Sequence, residues 1–254
     1  MLEVVALTKQ YLRHPVVDAV SFVVAPGEIL GYLGPNGSGK STTVKMLVGL
    51  IQPSAGMALY RGRNIRLELK WFQSRLGYVP EEPHLYPYLS GREFLQLSGR
   101  LRGMPERALN EKIDAMLTLF SLYEQRHGAI ASYSKGMKQK ILITAALLHN
   151  PEVVIFDEPL SGLDVTTAMV FKSLVRALSA RGKTILYSSH VLEVVEKLCT
   201  KVLILRQGKV AAYDSVAELR RLMASPSLED VFAQLAVQED TEKVAAELDA
   251  VIGA

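Results

Sequence analysis

Gly34-Pro35-Asn36-Gly37-Ser38-Gly39-Lys40-Ser41-Thr42 is the stretch from which the rest of the chain is read. It fits the pattern G-x-x-x-x-G-K-[ST], whose glycines let the backbone turn its N–H groups inward around phosphate oxygens. A helix opening at Lys40 aims the positive end of its dipole at the same anion. In such a loop the lysine reaches the β- and γ-phosphates and the Ser41 hydroxyl binds Mg²⁺. Average residue usage gives a chance match in roughly one chain in a hundred of this size. Here the flanks also agree. Glu28–Leu33 is a short apolar strand, and from Lys40 to about Leu50 the residues Val44, Leu47 and Val48 fall at helical spacing until Pro53 stops the helix.

Outward from that loop, the first thirty residues read as strands (Leu2–Leu7, Val16–Val24), with Pro26-Gly27 turning the chain. Met57–Tyr60 and Leu76–Val79 are further short strands. Between Ser90 and His149 the pattern turns helical. Ser90-x-x-Glu93 is a capping box, a second helix spans about Glu106–Leu122, and a third opens near Ser134 and runs to Leu148. Strand Val153–Phe156, helix Val165–Ala180, strand Thr184–Ser188 and helix His190–Cys199 then alternate. Val202–Leu205 and Val210–Ala212 pair across Gln207-Gly208 as a hairpin. Alternating β and α units with apolar strands predict an α/β fold, a P-loop NTPase core whose mostly parallel sheet is covered on both faces. N-terminal antiparallel strands precede it, and the helical block is inserted into it.

Two further motifs carry chemistry. Val153–Phe156 is an apolar strand that ends in Asp157-Glu158, the way P-loop enzymes present an Asp to Mg²⁺. Asp157 takes that role through water, and Glu158 is placed to polarise an attacking water. Tyr133-Ser134-Lys135-Gly136-Met137-Lys138-Gln139 opens a helix with free N–H groups, a second anion site; taken alone it reads as an ordinary serine cap.

Composition sets the outer limits. The 254 residues are 49% hydrophobic and 22% charged, enough for a core without cross-links. The single cysteine, Cys199, allows no intrachain disulfide and no multi-cysteine metal site. The start, MLEVVALTKQ, does not read as a signal peptide, and no apolar run reaches membrane-spanning length. A net charge of +3 gives no reason to expect nucleic acid. A secreted disulfide scaffold, an integral membrane protein and a disordered chain are thereby excluded. His14, His84, His127 and His149 lack partners at ligand spacing and read as structural. Lys135, Lys138 and Lys140 read as a solvated helix face, Tyr86 and Tyr88 as packing residues, and Glu239–Ile252 as a short amphipathic helix.

The order of P-loop, YSKGMKQK, VVIFDEP, SGLD and SSH resembles the ATP-binding-cassette (ABC) ATPases, with YSKGM where LSGGQ usually stands. The resemblance covers about Met1 to Ser215, a cassette over 1–215 with a helical subdomain at about 87–149 and a short helical tail over 216–254. It implies ATP and Mg²⁺ as ligands and Gly34–Thr42 as the nucleotide loop. Tyr11 stands where an aromatic stacks on adenine, and His190 where a switch residue contacts the γ-phosphate. Ser134, Lys135, Gly136 and Met137 contact the ATP of a second cassette, and Asp164 belongs to the loop that crosses to it. It further implies a homodimer of cassettes, a separate integral membrane permease docked on the helical subdomain, and a peripheral place at the cytoplasmic face of the cell membrane. Glu81-Glu82, the YSKGMKQK wording and Ser227-Leu228-Glu229-Asp230-Val231-Phe232 resemble bacterial exporters of the type-2 permease class.

One position departs from the family. In Gly77-Tyr78-Val79-Pro80-Glu81-Glu82, Glu81 holds the place of a Gln that usually contacts Mg²⁺ and water. A carboxylate there adds negative charge beside Asp157 and Glu158. A soluble ABC protein acting on ribosomes or nucleic acid is the alternative, but such proteins carry two cassettes or a long coiled-coil insertion. A GTPase needs N-K-x-D, which does not occur.

Overall fold

The computed structural model describes residues 1–12, 14–225, 227–236 and 251–252. Strands β1 (Leu2–Tyr11), β2 (His14–Val24), β3 (Ile29–Leu33), β4 (Ala55–Tyr60), β5 (Arg63–Asn64) and β6 (Leu76–Val79) are interrupted by helices α1 (Lys40–Leu47) and α2 (Leu69–Gln73). The helical block comprises α3 (Gly91–Leu101), α4 (Glu106–Leu119) and α5 (Lys135–Leu147). There follow β7 (Val153–Asp157), α6 (Val165–Ala180), β8 (Thr184–Ser188), α7 (Leu192–Leu198), β9 (Lys201–Arg206), β10 (Lys209–Ser215), α8 (Val216–Leu222) and α9 (Leu228–Ala236).

Among the described residues these strands make two sheets. A four-stranded antiparallel sheet has the order β2-β1-β4-β5, and a six-stranded sheet the order β10-β9-β3-β8-β7-β6. Within the second sheet, β9, β3, β8, β7 and β6 run parallel, and β10 closes one edge antiparallel to β9. Parallel strands need helical crossovers and lie buried on both faces, so β3, β7 and β8 are buried along their length and mostly apolar. The pleat alternates their side chains between two cores. Val153 and Ile155 of β7 join Leu30 and Tyr32 of β3, α1 and the antiparallel sheet. Val154 and Phe156 join Ile29 and Leu33 of β3, the helical block, α6, α7 and α9.

This topology delivers the carboxyl ends of β3, β6, β7 and β8 to one edge, where doubly wound sheets bind ligands. Local signals hold where they are strong. Ser90 and Glu93 form both halves of the capping box, and Ser134 is the N-cap of α5. Gln207 and Gly208, both at positive φ, turn the β9–β10 hairpin, as a primed two-residue turn requires. Several boundaries shift: α1 ends at Leu47 rather than about Leu50, and α4 at Leu119 rather than about Leu122. The helix expected from His190 starts at Leu192, which leaves His190 on the connection out of β8. The amphipathic helix expected over 239–252 lies outside the described residues, except for 251 and 252.

Candidate nucleotide site

Gly39 joins the loop to α1 at φ 103° and ψ 4°, a backbone conformation open to glycine. A Cβ there would stand 2.5 Å from the carbonyl oxygen of Val16, so the position is closed in space as well as in angle. No side chain caps α1, and its first amides are left to face the loop. The Lys40 ammonium folds under the turn and donates to the carbonyls of Gly34 at 2.6 Å and Pro35 at 3.1 Å. The loop is braced by Gly208, which is itself held by Asp18. Gly208 N–H donates to Ser38 O at 3.0 Å, and Asp18 N–H donates to Gly208 O at 2.8 Å.

Around the loop lies a cleft of about 200 Å³, lined by Val16, Asn36 to Thr42, Glu81, Asp157, Glu158, Ser188 and His190. Asp157, the last residue of β7, is 4% exposed. Burial raises its carboxyl above the ordinary aspartate range; Glu81 and Glu158 add to that, while the Ser188 hydroxyl and Lys40 oppose it. Burial lowers the Lys40 ammonium in turn, opposed by Glu158, Asp157 and Glu81. Lysine and three acids thus share one field: the acids favour the charged form of Lys40, while at Asp157 the two neighbouring acids reinforce burial and Lys40 opposes it.

Glu158 follows at φ 48°, an uncommon conformation for a residue with a side chain. Its N–H donates to Ser188 O at 3.1 Å, which turns the carboxylate off the strand and along the cleft. His190 Nδ1 lies 2.9 Å from Glu158 Oε2. Ser189 Oγ donates to the same oxygen at 3.4 Å while accepting from Val191 N–H at 3.1 Å. The structure therefore brings the loop, Glu81, Asp157, Glu158 and His190 together.

The other residues singled out in the sequence do not line this cleft. Ser134 is exposed, and its Oγ accepts from Met137 N–H at 3.2 Å, so it caps its own helix. Lys135, Gly136 and Met137 form the first turn of α5. A Cβ on Gly136 would stand 2.5 Å from Gly162 O, which seats this turn on the Ser161–Asp164 loop. Asp164 caps α6, accepting from Thr167 N–H at 2.8 Å and Thr167 Oγ1 at 2.6 Å. Tyr11, at the end of β1, is exposed with Lys9 over its ring. His149 is structural: its Nε2 is 3.0 Å from Leu76 O, and burial pushes its pKa down to about 4.

Three residues near the site escaped the sequence reading. Gly208 was visible only as a turn, not as a brace on the loop. Ser189 reads as one serine of a pair. Gln139, 2% exposed, donates to Pro159 O at 3.0 Å and ties α5 to the segment after Glu158. A polar residue on the buried side of a helix was the available signal.

The donor set suits Mg²⁺. Ser41 and Asp157 offer hard oxygens, while among the described residues no three His, Cys, Asp or Glu side chains are grouped to hold a metal. Mg²⁺ is usually bound by one or two protein oxygens together with phosphate and water rather than by an all-protein cage.

The geometry defines a P-loop NTPase of the cassette type. The chain belongs to the ABC transporter family, whose model matches residues 17–161. It is 38% identical over 221 residues to the uncharacterized ABC transporter ATP-binding protein YxlF of Bacillus subtilis (strain 168), covering 87% of this chain and 73% of that one. It is 37% identical over 204 residues to the Nod factor export ATP-binding protein I of Paraburkholderia xenovorans (strain LB400), covering 80% and 67%. A solved ATP-binding subunit of an ABC transporter superposes with a TM-score of 0.88 at 33% identity, covering 92% of this chain and 99% of that one. The fold is shared with an ATP-binding cassette solved as a dimer in a post-hydrolysis state with ADP and Pi, at a TM-score of 0.78 and 23% identity, covering 85% and 98%.

Proposed function

We propose that the chain is the ATP-hydrolysing subunit of an exporter and works as a head-to-tail pair with a separate membrane permease. The observation that carries the hydrolytic part is the convergence of Lys40, Asp157, Glu158 and His190 on one small cleft. The loop amides and Lys40 hold the β- and γ-phosphates. Ser41 and Asp157 would hold Mg²⁺, which when bound would neutralise charge on the phosphate oxygens. Glu158 orients a water toward the γ-phosphorus and takes up its proton as the bond to the β-phosphate oxygen breaks, giving ADP and phosphate. His190 fixes the Glu158 carboxylate and faces the γ-phosphate. Glu81 stands at the rim as a third acid, tuning how strongly the cleft draws Mg²⁺.

The pairing follows from what the cleft leaves out. Ser134–Met137 form a helix start of the kind that holds anions, yet they do not line the chain's own cleft. In a head-to-tail pair they would face the phosphates across the other cassette's loop, with Asp164 at the crossing and Tyr11 on the adenine. The permease has a place to dock: a groove of about 680 Å³ between α2, β6 and the helical block, with Leu76, Tyr78, Phe94 and Leu142 among its apolar lining and Lys70 and Arg102 beside them. No described helix is long and apolar enough to cross a membrane, so the transport path would lie in that second chain. Export is supported by Glu81-Glu82, the Ser227–Phe232 segment and the relative named for Nod factor export.

Sedimentation of Glu158→Gln with ATP and then with ADP tests the pairing. A dimer with ATP alone is expected, because closure must draw on differential affinity for the nucleotide carrying the γ-phosphate. A monomer under both conditions, in the presence of the membrane chain that co-purifies with it, overturns the pairing.

A further inference from the structure

We propose that Glu196 is a positioning residue for His190, acting through α7, and that α8 and α9 form the clamp it engages. This inference rests on the reading of His190 as part of the hydrolytic site. His190 lies on the short connection between β8 and α7, and α7 is a weak element by itself. It has seven residues, no side chain caps its start, and Val195 and Leu198 are the residues it buries. The bond from Val191 N–H to Ser189 Oγ at 3.1 Å is a single local tie at its start, so the place of His190 depends also on how α7 is held along its length.

The carboxyl-terminal elements supply what α7 lacks. Glu196 faces them with both oxygens engaged. Oε1 takes a 3.1 Å ion pair from Arg220 of α8, and Oε2 accepts from the N–H of Leu228, the first residue of α9, at 3.4 Å. The Glu196 side chain is 24% exposed, so this junction is partly shielded from water. Behind it, Leu228 and Val231 are fully buried in the same apolar cluster as Val195 and Leu198. Ser227 fastens the start of α9 by accepting from Asp230 N–H at 3.2 Å and donating to Asp230 Oδ2 at 2.6 Å. Arg206 of β9 fastens its far end by donating to Leu235 O at 3.2 Å. The segment Ser227–Phe232 thus has a structural task beyond marking a transporter class: it holds one side of the helix that follows His190.

The test is a double-mutant cycle on the full chain. Glu196→Ala should lower kcat about tenfold, the rate equivalent of one lost charge-assisted contact, and leave ATP affinity within about twofold. In a His190→Ala background the same change should cost nothing more, because there is no longer a histidine to place. Glu196→Gln keeps an acceptor for Leu228 N–H and should recover part of the rate. If Glu196→Ala folds poorly, Arg220→Ala removes the exposed partner and should show a smaller loss of the same kind. Equal losses in both backgrounds, or a wild-type kcat in Glu196→Ala, overturn the inference. Wild-type hydrolysis in His190→Ala alone is a separate failure, and it overturns the reading of the site on which the inference stands.

Discussion

On the proposed reading two helices of this chain begin where an anion would sit, α1 at Lys40 and α5 at Lys135, and they are finished differently. The N-cap of α1 is a glycine with no side chain to offer, so the opening amides of that helix have no capping group of their own. The N-cap of α5 is Ser134, whose hydroxyl already takes the Met137 N–H. An uncapped helix start keeps its donors for a ligand; a capped one is content without it. The first helix start leaves its donors to a ligand, while the second is satisfied by itself and, in the proposed pair, would wait for a partner. This contrast suits a cassette whose loop binds nucleotide first and whose second contact forms on closure.

The contrast can be broken at several points. Glu158→Gln in the first site should leave nucleotide binding intact and slow steady-state hydrolysis by about 10²–10⁴-fold, the range of general acid–base catalysis. Near-normal turnover would remove Glu158 from the mechanism. Gly39→Ala should destabilise the fold by about 1–3 kcal/mol from backbone strain, with the approach to Val16 O adding to it, and should abolish nucleotide binding. Gly37→Ala is the control: φ is also positive, but a Cβ there meets nothing within 4 Å, so calorimetry should show a smaller shift.

At the second site the effects should be smaller and should separate. Ser134→Ala should cost about 1 kcal/mol through the lost cap. In chemical denaturation that cost is independent of nucleotide, whereas hydrolysis should fall only under conditions in which two chains pair. Loss of nucleotide binding by the monomeric variant would mean that Ser134 serves its own cleft. The last test concerns Asp157. Its carboxyl is raised in the folded chain, chiefly by burial, so the folded state holds its proton more tightly than the unfolded one. That contribution to stability is fully present below the ordinary aspartate pKa and is lost as pH rises through the raised one. Asp157→Asn should therefore stabilise the metal-free protein at neutral pH and not in acid, while weakening Mg²⁺ retention. A melting-temperature difference independent of pH would contradict this.

Much of the fold was legible because its strands are short, apolar and bounded by turn residues. Val153–Phe156 and Thr184–Ser188 could scarcely be read otherwise. The antiparallel sheet was harder. Register shifts around Val4–Gln10 and positive φ at Ala6 and Ala19 break the two-residue alternation, and the polar ends of β1 and β2 continue the pairing to Tyr11 and His14. β5 and α2 are too short to show a period. In the site, the loop and the Asp157-Glu158 step were readable because their function lies in adjacent residues. Ser189, Gln139 and Gly208 contribute through contacts with distant segments, and those contacts leave no local pattern.

The brace of Gly208 on the loop has a consequence in time. Residues 18, 38 and 208 meet in one pair of hydrogen bonds, and β3 lies between β8 and β9, both made late in synthesis. As the chain emerges from the ribosome, the loop leaves well before the strands and the turn that secure it. Such long-range closure is slow to fold. In that interval the nascent polypeptide carries an apolar central strand without its neighbours, a reason for early shelter by a chaperone.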